Sequence, residues 1–259
     1  MRLGVGLSAA LVLCLWSVAS AELDGRKLLD LTYPLDDSSI AWPTNKPFHR
    51  DRTAWGMTAQ GYWYASADFF MSEHAGTHID APIHFAKGQP SVDRIPLDRL
   101  VAPAVVVDVR EAAEQDGDYR LRVEDILAWE TRHGRIPAGA IVIMRSGWGT
   151  RWPDRARYLG SMTPDDPATL HFPGFSAEAA QLLIAERNIV GIGVDTASID
   201  HGPSSDFIVH QLINGAGLYG LENIAHLEQV PETGAVFIAL PVKIKDGTGG
   251  PVRLIAVMP

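Results

Sequence analysis

Short runs of β-branched and apolar residues are the feature that most constrains the fold of this 259-residue chain. Runs of this kind, bounded by turn-forming residues, are typical of strands in a sheet. They occupy residues 105–109, 141–144, 189–194, 235–244 and 252–257. The last two flank the turn-forming sequence Asp246-Gly247-Thr248-Gly249-Gly250, so they are predicted to pair as a hairpin. The chain is therefore expected to fold around a sheet.

Predicted helices lie between these strands. The first covers residues 123–133, with Gly134 placed to cap its C-terminal end. The second covers residues 177–187, with Ser176 as its N-cap, and a shorter third helix covers residues 208–213. Strands interspersed with helices favour an α/β fold. Because no Gly/Ser-rich linker divides the chain, we expect a single domain.

Two further segments are interpreted from their composition. Residues 147–173 are rich in Pro, Asp and Arg, which is typical of an ordered excursion or a lid-like loop. Aromatic side chains crowd residues 55–70. We expect most of these aromatic side chains to lie in the core, with the lining of an aromatic pocket as the alternative.

The first 21 residues have the pattern of a secretory signal peptide. Arg2 gives a positive start, an apolar run follows, and Ala19-Ser20-Ala21 supplies an A-x-A cleavage site. The run is short for a membrane span, which makes an uncleaved anchor the weaker alternative. We predict a signal peptide over residues 1–21 and one domain over residues 22–259. The mature protein is then secreted or periplasmic, with no membrane attachment after cleavage.

Charge and cysteine content narrow the chemistry. The formal net charge is −9 and no basic stripe is present, which disfavours nucleic-acid binding and leaves a small molecule as the expected partner. The only cysteine, Cys14, lies in the predicted signal peptide. The mature chain then has no thiol for a disulfide or a thiolate metal site. Any metal ion must be held by nitrogen and oxygen ligands.

One segment concentrates potential metal ligands, in the spacing His74-x3-His78-x-Asp80-x3-His84. Gly76 and Pro82 disfavour an uninterrupted helix here. In an extended chain the four side chains share one parity and lie on one face, with mostly apolar residues on the other. We therefore predict a polar, convergent face opposite a buried one.

The donor types of this segment indicate a metal centre. Two imidazoles and a carboxylate, from His74, His78 and Asp80, leave coordination positions open for an activated water, as in catalytic zinc sites. A histidine nearby but outside the ligand set can move a proton. The alternative is that these are ordinary structural residues. Downstream, His210 and Glu222 are further candidate ligands, although single His and Glu residues are common and a structural role stays open.

The same segment resembles a family signature. Residues 74–84, H-A-G-T-H-I-D-A-P-I-H, resemble the H-x-G-[TA]-H-x-D-x-P-x-H signature of the cyclase-family metal-dependent hydrolases, which include bacterial kynurenine formamidases and isatin hydrolases. Residues 195–204 and 241–251 are similar to later blocks of that family. The resemblance covers most of the mature chain. It implies the family's single-domain swivelling β/β/α fold, assembled as a homodimer or homotetramer.

The resemblance also implies a role for each residue of the site. One or two divalent ions, Zn²⁺ or Mn²⁺, are implied as cofactors. The first ion is held by His74, His78 and Asp80. Asp80 bridges to the second ion, which His210 and Glu222 complete. His84 is the implied proton donor and acceptor, and Trp42 is the implied substrate-pocket residue.

The activity implied is hydrolysis of a C–N bond other than a peptide bond by metal-activated water. The substrate is a linear arylformamide or a cyclic amide of the isatin type. A lactonase or other cyclic-ester hydrolase uses the same chemistry and stays open as an alternative. So does an exported, metal-dependent binding protein without turnover, although His84 disfavours it because a pure binder needs no proton shuttle.

Overall fold

The computed structural model describes residues 27–259, so the predicted signal peptide and its cleavage site lie outside the described residues. The strands are β1 (Leu28–Asp30), β2 (His49–Met57), β3 (Trp63–Phe70), β4 (His78–Asp80), β5 (Val101–Asp108), β6 (Arg120–Leu121), β7 (Ile141–Arg145), β8 (Gly174–Phe175), β9 (Gly191–Val194), β10 (Tyr219–Glu222), β11 (Val236–Pro241) and β12 (Gly249–Val257).

The α-helices are α1 (Arg110–Gln115), α2 (Val123–His133), α3 (Arg155–Tyr158), α4 (Ala177–Leu182) and α5 (Ile208–Gly215). A π-helical turn, Leu183–Arg187, extends α4. Short 3₁₀ turns cover Pro82–His84, Val92–Arg94, Leu97–Arg99, Trp148–Arg151, Pro167–Thr169 and Leu227–Gln229. Among residues 27–259, no helix is both long and apolar enough to cross a membrane.

Eight strands form one mixed sheet that closes on itself. The strand order is β1-β12-β11-β5-β7-β9-β10-β4, and β4 also pairs with β12, so the sheet is barrel-like. The β5, β7, β9 and β10 pairings are parallel, whereas β11, β12, β1 and β4 join antiparallel. The mixed α/β fold expected from the sequence is confirmed.

Two apolar layers sandwich the parallel strands. One face of β5 and β7, including Val106 and Ile143, points into the barrel with Phe237 and Leu254. The other face packs against α2, α4 and α5 through a second cluster that includes Trp129. Parallel strands buried on both faces explain why β5 and β7 are continuous apolar runs in the sequence.

The predicted helices agree with the structure. α2 spans the predicted residues, and Gly134 follows it with φ +87°, a left-handed conformation suited to glycine. Ser176 Oγ accepts a hydrogen bond from the backbone N–H of Ala179, which confirms it as an N-cap. The hairpin predicted near the C-terminus is confirmed by the antiparallel β11–β12 pair.

The segment 147–173 is an ordered excursion rather than a lid. Its short helical turns place Trp148, Tyr158 and Phe172 in a buried cluster that also contains Ile40. These large apolar side chains pack the segment against the rest of the protein. Opening it as a lid would expose them to water, so a mobile lid is disfavoured.

The expectation for the aromatic segment 55–70 is wrong. β2 and β3 form a separate two-stranded ribbon that is not part of the main sheet, and most of its aromatic side chains are exposed. Aromatic and β-branched residues favour strands whether or not a core covers them, so composition alone could not show that this hairpin extends from the body.

Candidate metal centre

Strand β4 lies between β10 and β12 and positions the centre. His78 is directly opposite Glu222 in the antiparallel β4–β10 pair, so both side chains lie on one face. Asp80 is opposite Gly220 on one side and Gly249 on the other. A Cβ at Gly220 would lie 3.3 Å from Asp80 Oδ2, and one at Gly249 would lie 2.6 Å from His74 Cε1. The two glycines therefore leave the space that these side chains occupy.

Turns, rather than one extended strand, bring the motif together. The extended backbone expected for this segment is found only in part, since the strand covers just His78–Asp80. Gly76 turns the chain with φ +63°, and Pro82 begins a 3₁₀ turn that carries His84 back towards the centre. His84 stacks on His74 with ring centroids 3.9 Å apart. The histidine and aspartate side chains therefore converge as predicted, but turns in the backbone bring them together rather than the alternation of side chains along one strand.

Four side chains converge at the floor of a cavity. His78 Nε2 lies 3.3 Å from Asp80 Oδ1 and 3.4 Å from Glu222 Oε2. His210 Nε2, from α5, lies 3.3 Å from Asp80 Oδ2 and 3.2 Å from Glu222 Oε1. Ligands about 2.1 Å from a tetrahedral ion are separated by about 3.4 Å. The observed separations match ligands arranged around an ion.

His74 completes a second group of donors. His74, His78 and Asp80 form one cluster of potential ligands, and Asp80, His210 and Glu222 form another, with Asp80 common to both. His74 Nδ1 lies 2.6 Å from Asp80 Oδ1, so these two atoms face the same point. Two overlapping clusters that share one carboxylate can hold one ion or two.

The charges of the centre fit a cation. Asp80 and Glu222 are buried, and their ion-pair partners within residues 27–259 are all imidazoles, with no Lys or Arg among them. Burial and the neighbouring Asp80 carboxylate raise the pKa of Glu222. Burial opposes charge on His78, but the Asp80 and Glu222 carboxylates raise its pKa to about 9. Two buried carboxylates thus draw positive charge to the centre.

Buried polar atoms without hydrogen-bond partners also indicate that the centre fits a cation. His78 Nε2 and Asp80 Oδ2 are buried and have no hydrogen-bond partner among the described residues. Buried polar atoms normally have partners, so such exceptions indicate a missing ion or water. The donor set therefore fits a divalent cation.

Hydrogen bonds behind the donors orient the imidazoles. His210 Nδ1 donates to Asp200 Oδ2 at 2.6 Å, which leaves Nε2 directed at the centre. His78 Nδ1 donates to the Gly76 carbonyl at 2.9 Å, and the side-chain amide of Asn223 donates to the same carbonyl at 2.8 Å. A partner of this kind selects the tautomer that presents a lone pair to a metal ion.

A series of hydrogen bonds through Thr248 to Glu73 holds His74. Its Nε2 donates to Thr248 Oγ1 at 2.9 Å, and the Thr248 hydroxyl donates to Glu73 Oε2 at 2.6 Å. The Thr248 backbone N–H also donates to Glu73 Oε2, at 2.8 Å. Because the threonine hydroxyl has one proton, its bond to Glu73 leaves it an acceptor towards His74.

The cavity above the centre has a volume of about 240 Å³. All six predicted site residues that face the centre line it, as does Trp42. The Trp42 ring meets Phe207 edge to face, with centroids 5.7 Å apart, and Phe207 lies 5.6 Å from Phe85. Burial lowers the pKa of His84 to about 4, so its imidazole is neutral near pH 7. The cavity thus combines an aromatic wall with a neutral imidazole beside the donors.

Sequence reasoning identified the residues that converge but missed those that orient them. Asp200, Asn223, Thr248 and Glu73 had no predicted role. Asp200 precedes His210 by ten residues, and Asn223 directly follows Glu222. A search for acidic or amide residues near each candidate ligand would have suggested these two. Thr248 contacts His74 across 174 positions, so no local signal could have revealed it.

The chain is similar in sequence to a known protein family and to hydrolases of bacteria. Residues 29–201 match the family model described as "Putative cyclase". The chain is 35% identical over 209 residues to an isatin hydrolase of Roseibium aggregatum, covering 78% of each chain. It is 28% identical over 237 residues to a kynurenine formamidase of Salinibacter ruber, covering 88% of this chain and 96% of that protein.

The fold is also similar to solved structures. An isatin hydrolase A from Ralstonia solanacearum superposes with a TM-score of 0.85 and 35% sequence identity. That comparison covers 99% of this chain and 100% of the other. The similarity of fold therefore extends over nearly the whole chain.

Proposed function

The chain belongs to the cyclase family, and from this premise we propose that it hydrolyses an amide bond of an aromatic small molecule. The amide is cyclic, as in isatin, with a linear arylformamide as the second candidate. The observation that carries the proposal is the convergence of His78, Asp80, His210 and Glu222 at the floor of an aromatic cavity.

The centre would hold one or two divalent ions, Zn²⁺ or Mn²⁺, since nitrogen and oxygen donors suit both. We assign His74, His78 and Asp80 to a first ion, and Asp80, His210 and Glu222 to a second. When bound, such an ion supplies a Lewis acid that lowers the pKa of coordinated water and polarises a carbonyl oxygen. Metal analysis of the purified protein, with and without added Zn²⁺ or Mn²⁺, tests both the identity and the number of ions.

The side chains around the centre supply orientation and proton transfer. Asp200 and the Gly76 carbonyl hold the imidazoles of His210 and His78 in place before substrate arrives. His84, neutral near pH 7 and lining the cavity, accepts a proton as water adds to the carbonyl carbon. It returns that proton to the leaving nitrogen as the C–N bond breaks, which gives a carboxylic acid and an amine.

The aromatic wall favours a flat, aromatic substrate. Trp42, Phe85 and Phe207 line the cavity, and Phe85 lies against the imidazole of His210, with ring centroids 4.6 Å apart. Isatin hydrolases and kynurenine formamidases are both named for substrates that carry an aromatic amine nitrogen. The higher identity to the isatin hydrolase favours the cyclic amide.

A substrate panel tests the proposal. Metal-reconstituted protein is incubated with isatin, N-formylkynurenine and simple lactones, and acid release is followed by a pH indicator. We expect turnover of isatin above the other substrates. Faster turnover of lactones would replace the proposal with a lactonase, and tight binding without acid release would replace it with a binding protein.

We also propose that the mature protein is one domain, residues 22–259, exported by cleavage of the leader before Glu22. The A-x-A sequence Ala19-Ser20-Ala21 supports this cleavage site. Mass spectrometry of protein recovered from the periplasm or culture medium should show Glu22 as the first residue. Retention of the leader in membranes would contradict export as a free protein.

A further inference from the structure

The cavity above the metal centre has few uncharged polar side chains, and they differ in how well they can bind a ligand. Those that line it are Thr44, Asn45, Ser198 and Asn223. Thr44 is exposed and Asn45 is partly exposed, so water competes for their hydrogen bonds. The buried Asn223 amide is already engaged, because its nitrogen donates to the Gly76 carbonyl and its oxygen accepts from the Tyr158 hydroxyl. Ser198 differs from all three.

The Ser198 hydroxyl is buried and has a proton without an acceptor. The side chain is 3% exposed, and Oγ accepts a hydrogen bond from the backbone N–H of Asp200 at 3.2 Å. A serine hydroxyl can donate one hydrogen bond as well as accept. Within residues 27–259, Ser198 Oγ has no acceptor for that proton. Because buried donors normally have partners, an atom bound in the cavity is expected to supply the acceptor.

The loop that carries Ser198 is fixed on both sides of this residue. Thr196 Oγ1 donates to the Ser198 carbonyl at 3.0 Å, and the Asn223 backbone N–H donates to the Thr196 carbonyl at 2.9 Å. On the other side, the Ile199 N–H donates to Glu222 Oε1 at 2.9 Å. Ser198 therefore lies one residue from a backbone contact to a candidate metal ligand. Its hydroxyl is held in place before a ligand enters, which lowers the entropy lost on binding.

We propose that Ser198 determines which amides the site prefers, by donating a hydrogen bond to a second carbonyl oxygen next to the amide carbonyl. The inference rests on the proposed hydrolysis and specifies its substrate class as aromatic α-keto amides. Isatin has a ketone in this position, whereas an arylformamide has only hydrogen there. A site built to hydrogen-bond one group of a substrate rejects an analogue that lacks it, since the buried group of the protein is then unpaired.

The apolar part of the lining fits the same substrate class. Trp42, Phe85 and Phe207 offer aromatic surfaces to a flat ring. Ala197, which directly precedes Ser198, belongs to the buried cluster against which Trp42 packs. The indole that would contact the ring and the hydroxyl that would contact the ketone are therefore held by one packed unit.

The binding of two ligands that resemble the product tests the proposal. Hydrolysis breaks only the C–N bond, so the product keeps the ketone beside its new carboxylate. Phenylglyoxylate has this ketone, and phenylacetate has a methylene group in its place. Isothermal titration calorimetry of the Zn²⁺- or Mn²⁺-reconstituted protein measures both affinities. We expect the wild type to prefer phenylglyoxylate, and Ser198→Ala should reduce that preference about 3- to 10-fold, the range of one neutral hydrogen bond.

The ligand pair also controls for indirect effects. Any contact of the ketone with a bound ion is present in both proteins and cancels when their preferences are compared. Ser198→Ala also removes the acceptor of the Asp200 N–H, but an effect on metal binding through Asp200 would weaken both ligands equally. Ser198→Cys, whose thiol is a weaker donor, is the second variant should Ser198→Ala lose its circular dichroism spectrum. Thr44→Val, the matched control, removes the exposed hydroxyl of the lining and should keep the wild-type preference.

The outcomes separate this inference from the proposed function. An unchanged preference in Ser198→Ala, an equal loss in Thr44→Val, or a wild type that binds both ligands equally or neither would overturn the role of Ser198. Turnover of isatin by that same wild type would leave hydrolysis standing. A preference that depends on Ser198, without turnover of any amide, would support the ligand class and refute hydrolysis.

Discussion

Replacing Asp200 with Asn should weaken metal binding through His210. Asp200 Oδ2 accepts from His210 Nδ1 at 2.6 Å and from the His210 backbone N–H at 3.1 Å, while Oδ1 accepts from the Val209 N–H at 2.9 Å. An asparagine keeps one acceptor oxygen and turns an amide N–H₂ towards the remaining donors. The imidazole therefore loses either its orientation or the carboxylate that makes it basic.

The expected loss of metal affinity follows from the role of Asp200 as the hydrogen-bond partner of a metal-binding histidine. Removing a residue that orients a metal-binding histidine typically lowers metal affinity 10- to 100-fold, or about 1.4 to 2.7 kcal/mol. Competition between the protein and a chromophoric chelator for Zn²⁺ or Mn²⁺ measures this change. Thermal unfolding of the metal-free variant, recorded in parallel, separates lost metal affinity from lost stability.

Asp206→Asn is the matched control. Asp206 also accepts a backbone N–H at the start of α5, from Ile208 at 3.2 Å, but it is exposed and its side chain does not contact His210. It should retain wild-type metal affinity. An Asp200→Asn protein that binds metal within twofold of wild type, or an equal loss in Asp206→Asn, would refute the reasoning.

Other outcomes can be measured on the same protein. His84→Ala should lower kcat at least 100-fold while elemental analysis shows unchanged metal content, because His84 moves a proton without being assigned as a ligand; an unchanged kcat would remove it from the mechanism. His78→Ala should lose bound metal, and full occupancy would contradict its assignment. Metal ion at a thousandfold excess over its Kd should stabilise the wild type by about 4 kcal/mol, seen as a rise in Tm that His78→Ala abolishes. Gly249→Ala should lower metal affinity, since its Cβ would lie 2.6 Å from His74 Cε1; a wild-type affinity would show that His74 can shift freely. Trp42→Ala should raise KM for an aromatic substrate more than it lowers kcat, and an unchanged KM would place the substrate elsewhere.

Local sequence patterns predicted the elements with strong periodicity and clear ends. The α2 helix has an apolar stripe and a terminal glycine, and its predicted bounds agree with the structure. The strands β5 and β7 are recognisable because burial on both faces makes them continuously apolar. Closure of the sheet through β4 could not be predicted in this way, because β4 has only three residues and pairs with strands distant in sequence.

For the candidate site, the sequence by itself determined which donors are available. The chain has one cysteine, Cys14, and carries His74, His78, Asp80 and His84 within eleven residues, which favours nitrogen and oxygen ligands for a metal centre. Only the tertiary structure decided how these donors meet. Gly76 and Pro82 turn the chain on either side of the short strand His78–Asp80, and β10 and α5 bring Glu222 and His210 to the same point. The physical reason is that side-chain chemistry is local, whereas convergence depends on strand pairing and helix packing between residues far apart in the chain.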